Sequence, residues 1–195
     1  VEIELQEKTP YISSGLHGAS RNESQIRKWW SRYPKAAIGV NCGLSGLFVV
    51  DIDMKDGDGF EEFSNMNISS RGAWISMTPS GGWHIIYKGE GRNTQGNKLH
   101  PNVDTRGVGG YFIAPESFII NSKTGEIATY KRVGNWTDQP AELPSDALDK
   151  LGLVHKKSNV DVQKFESSDE ELGLAKELLE ETSIEAFYSY DNFIA

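Results

Sequence analysis

The sequence predicts an α+β fold, in which helices and short strands occupy different stretches of the chain. Three observations lead there. Ile26, Trp29, Trp30 and Tyr33 recur at helical spacing until Pro34 stops the pattern. Short strand-like runs follow, the most apolar of them at 46–53. Polar turns separate the strands, as Pro79-Ser80-Gly81-Gly82 does between 74–78 and 83–88.

Taken in order, Ser20-x-x-Glu23 is a capping-box signature that opens a helix over about 21–33. Its tryptophans lie on the apolar stripe, so they read as core rather than as a base-stacking platform. Strands follow at 36–41 and 46–53 around a turn at 43–45, and Phe60, Phe63 and Met66 indicate a short helix over about 59–67. Further strands are expected at 74–78 and 83–88. A loop over 89–101 leads to strands at 102–106 and 111–114, which flank the glycine-rich 107–110, and a last strand covers 125–131. These elements make a first unit of 1–133. Residues 134–168, with Pro140 and Pro144, read as a polar linker or periphery. Leu172, Leu174, Ala175, Leu178 and Leu179 indicate a helix over 169–181, within a helical accessory segment spanning 169–195.

A chain of 195 residues suffices for one sizeable core. Apolar residues make up 37% of it and no run approaches the roughly 18 apolar residues of a membrane span, which argues against a membrane-spanning helix. The start, Val1-Glu2-Ile3-Glu4-Leu5, is acidic and unlike a secretory signal, so a cytoplasmic location is expected. One cysteine, Cys42, rules out an internal disulfide and a zinc knuckle built on several thiolates. The net charge of −8 argues against a nucleic-acid partner until its distribution is considered. Residues 161–195 carry ten acidic and two basic side chains, so the remaining 160 residues are neutral, with eighteen of each sign. Arg21, Arg27, Lys28, Arg32 and Lys35, with Arg92, Lys98 and Arg106, read individually as solvated surface and together could form a basic track.

Chemistry concentrates in three places. In Val50-Asp51-Ile52-Asp53 the alternation of a strand sends both carboxylates to one face and Val50 and Ile52 to the other. Two adjacent carboxylates at a buried strand end need a cation, a helix N-terminus or open solvent. Hard oxygen donors favour Mg²⁺ or Mn²⁺. Calcium of the EF-hand type is excluded, because the loop position that requires glycine is Asp56 and a strand precedes it. The second place is Thr78-Pro79-Ser80-Gly81-Gly82-Trp83-His84, where Gly81 and Gly82 permit an anion-cradling turn, Ser80 offers a hydroxyl, and His84 is either a phosphate contact or a structural strand residue. The third is Asp104-Thr105-Arg106. This same-face pair is either an internal ion pair or a carboxylate beside a phosphate-binding guanidinium. No Walker-type Gly-x-x-x-x-Gly-Lys-Ser/Thr occurs, which argues against a P-loop nucleotidase.

In order and kind, these residues resemble the archaeo-eukaryotic primase superfamily, specifically the bifunctional primase–polymerase (Prim-Pol) domains of phage and plasmid replication proteins. The shared motifs are Val50-Asp51-Ile52-Asp53, Ser80-Gly81-Gly82-Trp83-His84 and Val103-Asp104. Ile26-x-x-Trp29-Trp30, Ala37-Ile38-Gly39-Val40 and Arg106-Gly107-x-Gly109-Gly110-Tyr111-x-x-Ala114-Pro115 support them, and the match spans about 8–132. The resemblance implies an RRM-like sheet packed on an N-terminal αβ unit. It implies a template-dependent nucleotidyltransferase, a DNA primase and polymerase. Asp51, Asp53 and Asp104 would hold two ions of Mg²⁺ or Mn²⁺. Ser80 and His84 would contact the phosphates of the incoming nucleoside triphosphate, with Gly81, Gly82 and Arg106 beside them; the Arg106 contact rests on its chemistry alone. Single-stranded DNA template and primer are the implied partners, with a helicase further along a longer polypeptide. Two other classes fit the same carboxylates: a metal-dependent phosphodiesterase or nuclease, and a non-catalytic module that binds nucleotide or primer.

Overall fold

The computed structural model describes residues 10–54, 57–96, 99–120 and 125–154. The helix expected at 169–181 and the rest of the acidic accessory segment lie outside the described residues. In chain order the elements are α1 (Glu23–Arg32), β1 (Gly39–Asn41), α2 (Cys42–Ser45), β2 (Leu47–Ile52), α3 (Gly59–Asn65), β3 (Trp74–Met77) and β4 (Trp83–Lys88). After them come β5 (Val103–Arg106), β6 (Tyr111–Ile113), β7 (Phe118–Ile120), β8 (Ile127–Thr129), β9 (Lys131–Val133) and α4 (Ala147–Lys150). A mixed α+β architecture is thus observed.

The centre is a five-stranded sheet in the order β5-β2-β4-β3-β9, with every neighbouring pair antiparallel. α3 connects β2 to β3, and β4 then inserts between those two strands, which makes a split βαβ unit. Two ribbons, β1 with β6 and β7 with β8, complete the strand pairing. β2 is buried on both faces, and for that reason its sequence is a nearly unbroken apolar run. Phe48, Val50 and Ile52 face one side and pack with Phe63 of α3, Ile68, Ile85, Tyr87 and Leu151. Val49 joins Cys42, Ile86 and Phe112 on the other. Full burial of a side chain such as Phe48 stabilises the fold by about 1.5–3 kcal/mol.

Five details differ from the sequence expectations. Asn22, rather than Ser20, caps α1 by accepting from Gln25 N, while Ser20 Oγ accepts from Asn22 N. The cap moves because Asn is at least as good an N-cap as Ser, and Asn22 stands directly against the helix. Trp29 and Trp30 are half-buried rather than core, and α1 has no fully buried residue. Where a turn was expected at 43–45, residues Cys42–Ser45 close one helical turn capped by Asn41 Oδ1 on Leu44 N and ended by Gly46 at φ 62°.

The strand expected over 125–131 is in fact two strands, because its pairing partner changes at Tyr130. β8 pairs with β7, Tyr130 exchanges backbone hydrogen bonds with Glu116 and Ser117, and β9 then pairs with β3. Residues 134–154 are held by the core in spite of their polar composition. Trp136 stacks on Trp74 at 4.6 Å and 3°, Leu143 N donates to Lys88 O at 2.8 Å, and Ala147, Leu151 and Leu153 are core residues.

Candidate active site

Each strand of the central sheet contributes one residue to a single polar row. Asp104 pairs with Asp51, Asp51 with His84, His84 with Ser76, and Ser76 with Arg132, across β5, β2, β4, β3 and β9. Directly opposed residues of antiparallel strands share a face, so the five side chains leave the sheet on the same side. The row is deep at its acidic end: Asp51 is 8% exposed and Asp104 and His84 are 5% exposed. The far end is open, since Arg132 is exposed.

Asp51 is the hub. Its Oδ2 accepts from Arg106 Nη2 at 2.7 Å and Nε at 3.1 Å, and its Oδ1 stands 3.4 Å from His84 Nε2. Burial pushes the carboxyl pKa up, but the hydrogen bond and charge of His84, and then those of Arg106, outweigh it and leave the group at about 2. Asp104 Oδ2 accepts from Gly96 N at 3.0 Å and lies 3.9 Å from Arg106 Nη2. His84 Nδ1 is buried with no partner among the described residues.

Asp53 lies one residue beyond β2, half-buried, with its N–H donated to Asn102 O at 2.8 Å. The Tyr130 phenol is pushed up to about 12, first by burial, then by the charges of Asp51, Tyr111 and Asp53. The charges of both aspartates thus reach this hydroxyl.

The turn after β3 closes through Thr78 N to Gly82 O at 2.8 Å and Gly81 N to Thr78 O at 3.1 Å, with Ser80 Oγ 3.1 Å from Thr78 Oγ1. One amide of the expected anion cradle, that of Gly81, is thus used inside the turn. Gly81 has φ +85°, and Gly82 runs so close to the Ile52 carbonyl that a Cβ there would collide with it. This contact holds the turn against the end of β2, where Asp53 leaves the strand. An open cleft of about 300 Å³ beside the turn is lined by Thr78, Pro79, Gly81, Ile127 and Lys131, among others.

Sequence reasoning missed several members of the site. Ser76 is fully buried, with no partner for Oγ among the described residues, yet nothing marks one serine in a strand as the neighbour of His84. Tyr130 places its ring centroid 5.8 Å from that of His84, and only the passage of the chain from the β7–β8 ribbon into the central sheet brings it there. The loop over 92–96 lies along β5, with Thr94 N on Thr105 O, Thr105 N on Thr94 Oγ1, and Gly96 N on Asp104. Arg106 is corrected in one respect. It belongs to no surface track, because it is largely buried and ion-paired to Asp51.

Among the described residues no three His, Cys, Asp or Glu side chains are arranged to hold a metal ion. The donor chemistry of Asp51, Asp53 and Asp104 nevertheless fits a hard divalent cation. What differs is orientation, since both oxygens of Asp51 face Arg106 and His84.

An antiparallel sheet crossed by an acidic, imidazole- and guanidinium-bearing row defines an α+β protein with a polar site suited to phosphate chemistry. The family model described as "Bifunctional DNA primase/polymerase, N-terminal" matches residues 2–146, and the chain belongs to that Prim-Pol family. It is accordingly a domain of the nucleotidyltransferase class, associated with DNA priming and polymerisation and with the nucleic acid and nucleoside triphosphates they use. No curated protein matches the sequence. No helix among the described residues is long and apolar enough to cross a membrane.

Proposed function

We propose that the polar row is the catalytic centre of a template-dependent DNA primase and polymerase that joins nucleoside triphosphates on single-stranded DNA. The observation that carries this reading is the direct opposition of Asp51 and Asp104 on adjacent strands, with His84 on the next strand, in a Prim-Pol chain. Asp51, Asp53 and Asp104 would hold two ions of Mg²⁺ or Mn²⁺. Bound there, the ions supply charge neutralisation at the triphosphate and a more acidic primer 3′-hydroxyl. The chain's own part is positioning. His84 presents a buried imidazole to the phosphates, the turn Ser80-Gly81-Gly82 borders them, and the rigid strands keep the carboxylates in place. The strand order β5-β2-β4-β3, with α3 following β2, supports an RRM-like description of this sheet. Under the same reading a primer and template approach the open side of the row, and a helicase region works beside this domain in a longer polypeptide.

The test supplies Mn²⁺ or Mg²⁺, a single-stranded template and labelled nucleotides. Products longer than a dinucleotide are expected, and their absence with either metal would sink the proposal. Asp51→Ala with Asp53→Ala should abolish synthesis and preserve the circular dichroism spectrum, and synthesis that survives the double substitution refutes the metal-ligand assignment.

A further inference from the structure

Asp51 already has a cation. Arg106 sets two N–H groups on Oδ2, at 2.7 and 3.1 Å, and so occupies one of the two oxygens that Asp51 could offer a metal ion. The same Nη2 stands 3.9 Å from Asp104 Oδ2, so one guanidinium lies between the two opposed carboxylates. Nη1 donates to Thr94 O at 3.3 Å, which ties the group to the loop over 92–96. Its side chain is 18% exposed and that of Asp51 12%. At such depth two unbalanced carboxylates are costly, and a fork-shaped donor offsets that cost well.

We propose that Arg106 is an internal counter-ion that competes with the divalent metal for Asp51, so that the centre is loaded by exchange of one cation for another. The inference rests on the metal-centre reading above. A guanidinium and a divalent ion on the same carboxylate repel each other strongly in a partly desolvated site. Arg106 would therefore release both of its bonds to Asp51 when a divalent ion is held there. By linkage, the pair weakens metal binding by the factor by which metal weakens the pair. Before loading, the arrangement keeps the acidic cluster neutralised. No bond is made or broken covalently, and charge balances because one cation replaces another at the carboxylates.

The test is Mn²⁺ binding without nucleotide, read from the paramagnetic resonance signal of the free ion. Arg106→Gln is expected to bind Mn²⁺ on the order of tenfold more tightly than the wild type. Arg106→Lys, which keeps the charge and loses the fork, should fall between them. Equal or weaker binding by folded Arg106→Gln overturns the proposal. Should that variant fail to fold, the wild type decides: the Arg106 Nε–H resonance must shift as Mg²⁺ is added. A resonance unmoved at saturation overturns the proposal as well. Mn²⁺ binding that Asp51→Asn reduces but Arg106→Gln leaves unchanged defeats the counter-ion alone. A wild type that binds no Mn²⁺ defeats the metal centre with it.

Discussion

At the residue scale, Asp51 links the electrostatics of the site to the stability of the fold. Its carboxyl titrates at about 2 in the folded protein against an ordinary 3.8, a depressed value. A depressed carboxylate contributes stability above its unfolded pKa and loses that contribution as the pH falls through the folded one. For metal-free protein the window is therefore from about pH 4 down to about pH 2, and the contribution is on the order of 2 kcal/mol. Urea unfolding at pH 5, 3 and 2 checks it. The wild type should lose stability across the window more steeply than Asp51→Asn, and parallel curves would contradict the ion-pair account. That Asp104 and Arg106 share a face was legible in the sequence, because alternation in a strand assigns faces without knowledge of partners. Ser76 and Tyr130 were not, because their roles depend on which strand lies next to which.

At the scale of elements, the turn between β3 and β4 illustrates how a site is held by a close approach. Gly82 is pressed against the Ile52 carbonyl, which is backbone and cannot swing aside, while Gly81 faces open space at φ +85°. Gly82→Ala should therefore cost about 1–3 kcal/mol, as overpacking does, and displace the turn from β2. Gly81→Ala meets only the left-handed backbone penalty, roughly 1–2 kcal/mol. Chemical denaturation orders the two, and nucleotide incorporation should fall further in Gly82→Ala. The glycines themselves were visible in the sequence. Which of them touches β2 was not, since the contact joins segments about thirty residues apart in the chain. β8 and β9 were merged for a similar reason: local alternation continues through Tyr130 while the pairing partner changes.

At the scale of the whole molecule, the region beyond residue 133 contributes core that its composition conceals. Leu151 is 1% exposed within the main cluster, and Leu151→Ala should cost about 2–5 kcal/mol. A chain ended after residue 133 loses Ala147, Leu151, Leu153 and the Trp136 stack, whereas one ended after 154 keeps them. Cooperative thermal unfolding is expected of the longer truncation and not of the shorter. The charge pattern yields a separate prediction. Because residues 161–195 carry the full net charge of −8, removing them leaves a neutral chain that should bind single-stranded DNA more tightly at low salt. The gain should fade as ionic strength rises and the Debye length shrinks.

The loop over 92–96 has an effect beyond holding Asp104. Thr94 and Thr105 satisfy each other's backbone groups along the outer margin of β5, which would otherwise present unpaired amides and carbonyls to any extended polypeptide. The opposite margin, β9, carries the exposed charges of Lys131 and Arg132. One border is sealed and the other is electrically guarded, so the sheet resists growth by strand addition and the acidic row stays at a fixed width.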